Sequence, residues 1–266
     1  MPKRRALAAV PVALRGIVIL SAFVILFSAL VTFVVPQARS WGLFPTGPEL
    51  AASAMRLFIE GAIYPHVLVS TFRVFVGFML AYSLGLTIGI FVIETRFARA
   101  AILPVNAFLR FIPPTAYTML LVGAFGVAEA YKMAVVFFGV FFFLVAMIVD
   151  VFDSIDQRYL DMARLDRADR LTTLKKVVLP WSLPRLIDVA RINLGAAWTF
   201  LVVAEMVGAN SGLGYLVINS QRFSRVADIY LVIAVFGVIG WILDGALKQL
   251  SRRLAPWHSA TVRQSR

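Results

Sequence analysis

The chain has 266 residues, of which 61% are hydrophobic and 15% are charged. A soluble domain averages about 45–50% apolar and about 25% charged residues, so this chain has too little polar surface to cover a core in water. It has no cysteine and two histidines, which excludes disulfides and thiolate sites and argues against a metal site or catalytic triad built on histidine.

The net charge of +12 raises the question of nucleic acid. The Lys and Arg residues, however, lie between apolar runs, as they do in the cytoplasmic loops of membrane proteins. The composition therefore predicts a protein that contacts membrane lipid and no nucleic acid.

Six apolar segments are predicted to cross the bilayer as helices, each of which needs about 20 mostly apolar residues. The predicted fold class is an all-α integral membrane protein with about six transmembrane helices. In chain order the segments are residues 16–35, 74–93, 101–128, 133–149, 192–204 and 229–243. Charged residues bound the last two, which are short and are expected to face protein or water. The first imitates a signal peptide but has a longer apolar run, so we expect a retained span.

The connection between the first two spans, residues 36–64, is too long for a tight turn. Apolar residues at helical spacing over 49–60 predict a short amphipathic helix on the outer surface. We therefore divide the chain into an N-terminal span with this outer segment (1–65), a core of five spans (66–254) and a tail (255–266).

Two features of the spans predict their packing and orientation. A small residue occupies every fourth position of the second span, at Gly77, Ala81, Gly85 and Gly89, which favours close helix contact in lipid. Most Lys and Arg residues lie at the two termini and in the even-numbered loops. This bias predicts a multi-pass protein of the bacterial inner (plasma) membrane with both termini in the cytoplasm.

The cytoplasmic loop from Asp150 to about Pro184 is long, charged and still patterned. Apolar residues recur at helical spacing, at Leu160, Ala163, Leu171, Leu174 and Val178. Leu179-Pro180 and Pro184 are expected to end this helical segment before the next span. A helical platform of this kind is either a docking surface for another protein or an interfacial helix on acidic lipid.

Part of this loop resembles the cytoplasmic motif of ABC importer permeases, which reads E-A-A, three residues, G, nine residues, I-x-L-P. The matching positions are Asp161-Met162-Ala163, then Arg167, then Val177-x-Leu179-Pro180. Residues 70–78, 110–114 and 204–217 resemble the nitrate/sulfonate/taurine branch of that family. The resemblance covers roughly residues 40–255.

The resemblance implies a type I importer permease for a small anion such as nitrate, sulfonate or taurine. It implies a second copy of the permease, as a homodimer, together with two ATPase subunits and an outer substrate-binding protein. The coupling residues would be Asp161, Met162, Ala163, Arg164, Arg167, Leu179 and Pro180. This chain contains no G-x-x-x-x-G-K-[ST] phosphate loop, so it is not expected to be an enzyme or to bind a cofactor, and ATP is expected on the partner.

Arg167 departs from the motif, because the family has glycine there. Glycine adopts positive φ without steric cost and arginine does so less readily. The turn is therefore expected either to be built differently or to fit a divergent ATPase subunit.

Candidates for the translocation path are charges and helix breaks inside the spans. Arg110 precedes Pro113 and Pro114, which prevent a regular helix. Arg110 either lines a path for anions or, as we favour from sequence, lies near the cytoplasmic end of its span and reaches lipid phosphate. Glu205 is either a path residue or the partner of Arg73 in an ion pair that holds the following loop.

The turn after Glu205 is glycine-rich and is expected to be flexible. Asn210, Ser211, Gly212 and Gly214 would form an outer gate, contact the binding protein, or only reverse the chain. A different class of function, an ATP-independent channel or secondary carrier, predicts charge networks within the spans and no docking platform.

Overall fold

The computed structural model describes residues 44–256, in which all regular structure is helical. The described part opens with helix α1 (Gly47–Ala54), which continues as a wider π-helical turn over Met55–Ile59. A capping box starts α1, because the backbone N–H of Thr46 donates to Glu49 Oε2 at 2.8 Å. The helix predicted within 49–60 is therefore confirmed.

Four of the described helices are long and apolar enough to cross a membrane. They are α2 (Tyr64–Glu94), α5 (Glu129–Asp153), α8 (Leu179–Met206, part of a continuous helical segment that begins at Arg170) and α10 (Val226–Leu254). They coincide with the spans predicted at 74–93, 133–149, 192–204 and 229–243. The last two helices incorporate the flanking charged residues and reach 28 and 29 residues. The span predicted at 16–35 lies outside the described residues.

The span predicted at 101–128 is broken into two helices. Helix α3 (Arg96–Arg110) and the segment Pro114–Phe125 meet at an angle of 88°. That segment is a 3-10 turn, Pro114–Tyr117, followed by helix α4 (Thr118–Phe125). Pro113 and Pro114 cannot donate backbone hydrogen bonds, and the helical ladder ends just before them. The two halves together make the fifth candidate span among residues 44–256.

Helix α5 lies at the centre of the bundle and packs against α2 on one side and α8 on the other. The small residues of α2 allow this approach. A Cβ atom at Gly77 would lie 2.7 Å from the carbonyl oxygen of Met133, and one at Gly89 would lie 2.6 Å from Ile148 Cγ2. Both distances are shorter than a van der Waals contact, so the small-residue packing surface predicted for this helix is confirmed.

The charged loop is helical, as predicted, and has three parts. Helix α6 (Gln157–Leu165) is followed by a turn, and then by helix α7 (Arg170–Thr173) and a π-helical turn over Leu174–Val178. Leu160, Leu174 and Val178 pack on the core. Leu171 is 55% exposed.

The prediction that Leu179-Pro180 and Pro184 end the loop helix is wrong. Pro180 lies in the first turn of α8 and Pro184 lies inside it, and the chain is helical from Arg170 to Met206. A proline ring clashes with the carbonyl four residues earlier in a regular α-helix. The wider turn at Leu174–Val178 directly precedes Pro180, and π turns of this kind accommodate such local irregularities.

The end of the bundle remote from the charged loop is completed by helix α9 (Leu213–Arg222), which packs against α8 and α10. Helix α1 packs on α10, and Arg56 forms an ion pair with Asp228 at the start of α10. Ser220 of α9 also donates to Asp228 Oδ2, at 3.3 Å. A buried carboxylate thus joins the three helices.

Candidate functional site

An ionic cluster at the end of the bundle remote from the charged loop joins α2, α5 and α8, and we call it the outer clamp. It consists of Ser70 and Arg73 of α2, Glu129 of α5, Glu205 of α8 and Ser211 of the following loop. Arg73 Nη1 lies 2.8 Å from Glu205 Oε1, and both side chains are fully buried. Arg73 also donates to both oxygens of Glu129, at 2.5 and 2.6 Å. Ser70 Oγ donates to Glu205 Oε1 at 2.7 Å.

The outer clamp holds the loop after α8 through its backbone. Arg73 donates to the carbonyl oxygen of Ser211 at 2.7 Å and to its Oγ at 3.0 Å. The backbone N–H of Gly214 donates to Glu205 Oε2 at 2.8 Å, and that of Gly212 to His66 Nδ1 at 3.0 Å. The loop is therefore fixed by several hydrogen bonds, and the prediction of a flexible turn was wrong.

Gly212 of this loop and Gly214, the second residue of α9, lie where a side chain does not fit. A Cβ atom at Gly212 would lie 2.2 Å from Glu205 Oε1, and Gly212 has a φ of +112°, which favours glycine. A Cβ atom at Gly214 would lie 2.9 Å from Glu205 Cβ. Both glycines are buried, so of the roles expected for this turn they fit an outer gate or a reversal of the chain. Asn210 is exposed and Ser211 is partly exposed.

The pairing of Arg73 with Glu205 was predicted from sequence and is confirmed. Glu129 was missed, although it is the second carboxylate on the same arginine. Glu129 is the first residue of α5, and acidic residues are common at helix starts, so its position gives no indication that it pairs with Arg73. The spacing of His66, Ser70 and Arg73 could have indicated the site, because these residues share one face of α2.

The break between α3 and α4 lies beside the middle of α5. Asn106, which lies four residues before Arg110, donates a hydrogen bond from Nδ2 to the carbonyl oxygen of Phe142 at 3.1 Å. Phe142 lies near the middle of α5. Arg110 is the last residue of α3, and the choice between its two predicted roles stays a prediction. Its guanidinium carbon lies 5.7 Å from the centre of the Phe111 ring. Pro113 and Pro114 lie at the bend itself.

The charged loop presents an exposed face on α6. Tyr159, Met162 and Leu165 are 48%, 65% and 85% exposed and follow one another at a spacing of three residues. Asp161 and Arg164 form an exposed ion pair at 2.8 Å. Ala163, on the opposite side, is buried and anchors the helix to the bundle.

The turn after α6 places Arg167 in the left-handed region, with a φ of +53°. The backbone N–H of Ala168 donates to the carbonyl oxygen of Ala163 at 3.0 Å, which is the hydrogen bond of a helix-ending left-handed turn. Arginine thus adopts the conformation that glycine would provide. One of the two alternatives predicted from sequence was a turn with a conformation different from the one that glycine favours, and the positive φ of Arg167 does not fit that alternative.

This bundle of long apolar helices, with one sharply bent helix pair and a helical loop, is the architecture of a multi-pass membrane protein. The family described as "Binding-protein-dependent transport system inner membrane component" matches residues 81–256, and the chain belongs to this family. It is thus a multi-pass inner-membrane protein and the permease component of an ABC importer, a family whose members work with ATPase and binding-protein partners.

Two curated relatives match over most of the chain. The putative aliphatic sulfonates transport permease protein SsuC of Bacillus subtilis is 30% identical over 218 residues, which are 82% of this chain and 79% of SsuC. The taurine transport system permease protein TauC of Escherichia coli is 30% identical over 201 residues, 76% of this chain and 73% of TauC. A chain of the inward-facing MetNI methionine ABC transporter shares the fold, with a TM-score of 0.65 at 18% identity, over 79% of this chain and 99% of that one.

Proposed function

We propose that this permease imports a small anion such as nitrate, a sulfonate or taurine, driven by ATP hydrolysis on a partner ATPase. The sulfonate and taurine relatives support this class of substrate. The single observation that carries the coupling to ATP is the exposed apolar face of α6 on an otherwise charged loop. Exposed apolar patches rimmed by charge are typical of surfaces that another protein covers.

In this proposal the ATPase subunit docks on α6 and the turn after it. The exposed residues Met162, Arg164 and Arg167 make the contacts, together with Asp161. Ala163 holds α6 against the bundle, and Leu179 and Pro180 begin the long helix that carries movement of the loop into the membrane.

The remaining parts of the assembly follow the same plan. Two identical copies of the permease form the pore, ATP binds to the partner, and this chain binds no cofactor, since its sequence has no phosphate loop. Both termini face the cytoplasm, because most Lys and Arg residues lie on that side. An outer binding protein delivers the substrate and contacts the exposed Asn210 and Ser211.

The translocation path runs past the broken span. Arg110 has no ion-pair or hydrogen-bond partner within residues 44–256, so its charge is free to attract an anion. Pro113 and Pro114 keep the helix open beside it. We do not place Glu205 on this path, because its carboxylate is buried and accepts hydrogen bonds from Arg73, Ser70 and Gly214 in the outer clamp.

The first test reconstitutes the permease with its ATPase and binding protein in proteoliposomes. We expect uptake of the anion to require ATP and a stoichiometric ATPase to copurify with the permease. Uptake that proceeds without ATP, with no copurifying ATPase, would instead establish the alternative of a channel or secondary carrier.

The docking surface is tested by the substitution Arg167→Glu. We expect weaker ATPase association and normal membrane insertion, because the exposed charge at the turn is reversed. The matched control is Arg252→Glu, the same change at an exposed arginine near the end of α10. Equal association in the two variants would remove Arg167 from the docking surface.

A further inference from the structure

An ion pair joins the start of the broken span to the end of the central helix. Arg99, in the first turn of α3, donates from Nη1 to Oδ1 of Asp153 at 2.8 Å and from Nη2 to Oδ2 of the same carboxylate. Asp153 is the last residue of α5. Two parallel hydrogen bonds of this kind fix the relative orientation of the two groups as well as their distance. The start of α3 is therefore held against the end of α5.

Both charges lie where their own helices disfavour them. The partial positive charge at a helix N-terminus opposes Arg99, and the partial negative charge at a helix C-terminus opposes Asp153. The first turn of α3 contains no acidic residue and the last turn of α5 contains no basic residue, so neither helix compensates its own charge. The pairing compensates both helix ends at once, and it does so only while α3 and α5 stay together.

The residues that follow Asp153 connect the same point to α8 and to the charged loop. Ser154 Oγ accepts a hydrogen bond from Nη1 of Arg185, in α8, at 2.6 Å. Ile155 is buried in the core. The side chain of Asp156 caps α6 by accepting a hydrogen bond from a backbone N–H of its first turn at 3.0 Å. Residues 153–156, which we call the junction, thus contact α3, α8 and α6, so a displacement of α6 has a short bonded route to α3.

The two halves of the broken span are attached to α5 in different ways. Besides the ion pair at its start, α3 has a second polar contact with α5, the hydrogen bond from the buried Asn106 to the carbonyl oxygen of Phe142. Helix α4 lies beyond the 88° bend and packs on α5 through an apolar cluster that includes Leu121, Tyr131 and Val135. Apolar contacts are non-directional, so α4 can shift on α5 at lower cost than α3 can.

We propose that Arg99 and Asp153 are positioning residues that carry a displacement of α6 into the broken span and change the angle of its bend. The inference rests on the proposed docking of the ATPase on α6. A movement of α6 displaces the junction, and the Arg99–Asp153 pair passes that displacement to the start of α3. Helix α4 lacks such a bond to the junction and follows less, so the angle between the two halves changes beside the proposed translocation path.

The test uses the complete importer, permease with ATPase, in lipid nanodiscs. Hydrogen exchange of the backbone amides of residues 115–125 is measured without nucleotide and with ATP and vanadate. We expect nucleotide to change the exchange rates of the unsubstituted importer at this half of the bend. Arg99→Gln should reduce the nucleotide-dependent change about threefold, a size of effect seen for residues that link two coupled sites. The amount of copurifying ATPase should stay the same, because Arg99 lies outside α6.

Lys248→Gln is the matched control. The side chains of Lys248 and Asp244 are 50% and 39% exposed, close to the 45% and 38% of Arg99 and Asp153, but their ion pair joins two turns of one helix. This variant should keep the full nucleotide-dependent change. Asp153→Asn should reproduce the loss seen in Arg99→Gln. The double variant should lose no more than either single variant, because the two residues act through one contact.

Three results would overturn the inference: an unchanged nucleotide effect in Arg99→Gln, an equal loss in Lys248→Gln, or additive losses in the double variant. An unsubstituted importer that retains its ATPase but shows no nucleotide effect at residues 115–125 would also overturn it, and would leave the proposed function standing. Absence of a copurifying ATPase would overturn the proposed docking on α6 and the inference with it.

Discussion

Replacing Glu205 with glutamine removes the negative charge that faces Arg73 in the outer clamp. Glu205 accepts hydrogen bonds from Arg73, Ser70 and the backbone of Gly214. The amide of glutamine has one accepting atom and one donating group. One of its two ends must therefore point a donor at another donor, although the side chain has nearly the same shape.

The cost follows from burial. Removing one partner of a buried ion pair destabilises a protein by about 3–5 kcal/mol, because the other charge is left uncompensated. Arg73 keeps its contacts with Glu129, which places Glu205→Gln near the lower end, at about 3 kcal/mol. For a chain of this size, each kcal/mol corresponds to roughly 2–4 °C in melting temperature.

Glu129→Gln is the matched control, since Glu129 binds the same guanidinium. Its side chain is 55% exposed, whereas that of Glu205 is fully buried. Arg73 keeps its buried pairing with Glu205 in this variant, and the exposed side chain at 129 stays hydrated, so we expect a loss of only about 1 kcal/mol.

Thermal unfolding of the purified permease in one detergent, followed by tryptophan fluorescence, compares the two variants. We expect Glu205→Gln to lower the melting temperature by at least twice as much as Glu129→Gln. An equal or larger loss for Glu129→Gln would refute the assignment of Glu205 as the buried centre of the clamp.

Two further substitutions test backbone conformation. Arg167→Gly should stabilise the turn after α6 by about 0.5–1 kcal/mol, because glycine adopts positive φ without strain, and hydrogen exchange of the α6 amides should slow. Arg164→Gly, within the helix, should have the opposite effect, and faster exchange in both would contradict the reasoning. Gly212→Ala should destabilise the protein by more than about 2 kcal/mol, because its Cβ would overlap the carboxylate of Glu205. Gly195→Ala, where a Cβ meets nothing within 4 Å, should be tolerated, and similar melting temperatures for the two alanine variants would count against this explanation.

Much of the fold could be predicted because lipid imposes a simple rule on sequence. A spanning helix must be long and apolar, and the described long helices lie where the apolar runs are. The pairing of Arg73 with Glu205 could also be predicted, since both charges lie toward the same end of their spans. The pairing of Arg73 with Glu129 could not be predicted, because nothing in the local sequence links these two residues, which are 56 positions apart.

Local rules failed where the surrounding structure offered a compensation. Proline usually ends a helix, yet Pro180 and Pro184 continue one, and a π-helical turn comes directly before them. Arginine is usually kept out of left-handed turns, yet Arg167 occupies one. In both places the preference of a single residue is worth a few kcal/mol at most, and packing of a whole helix exceeds it.

The continuous helix from Arg170 to Met206 connects the two ends of the molecule. Its 37 residues span about 55 Å at 1.5 Å per residue. One end begins beside the turn at Arg167, and the other carries Glu205, which is bonded to α2 and, through Arg73, to α5. The three helices are therefore bonded to one another at the end of the bundle remote from the loop, so we expect a displacement of the loop to move them as one unit. The residues at the 88° bend between α3 and α4 form none of these bonds, so we expect changes of shape within the subunit to concentrate there.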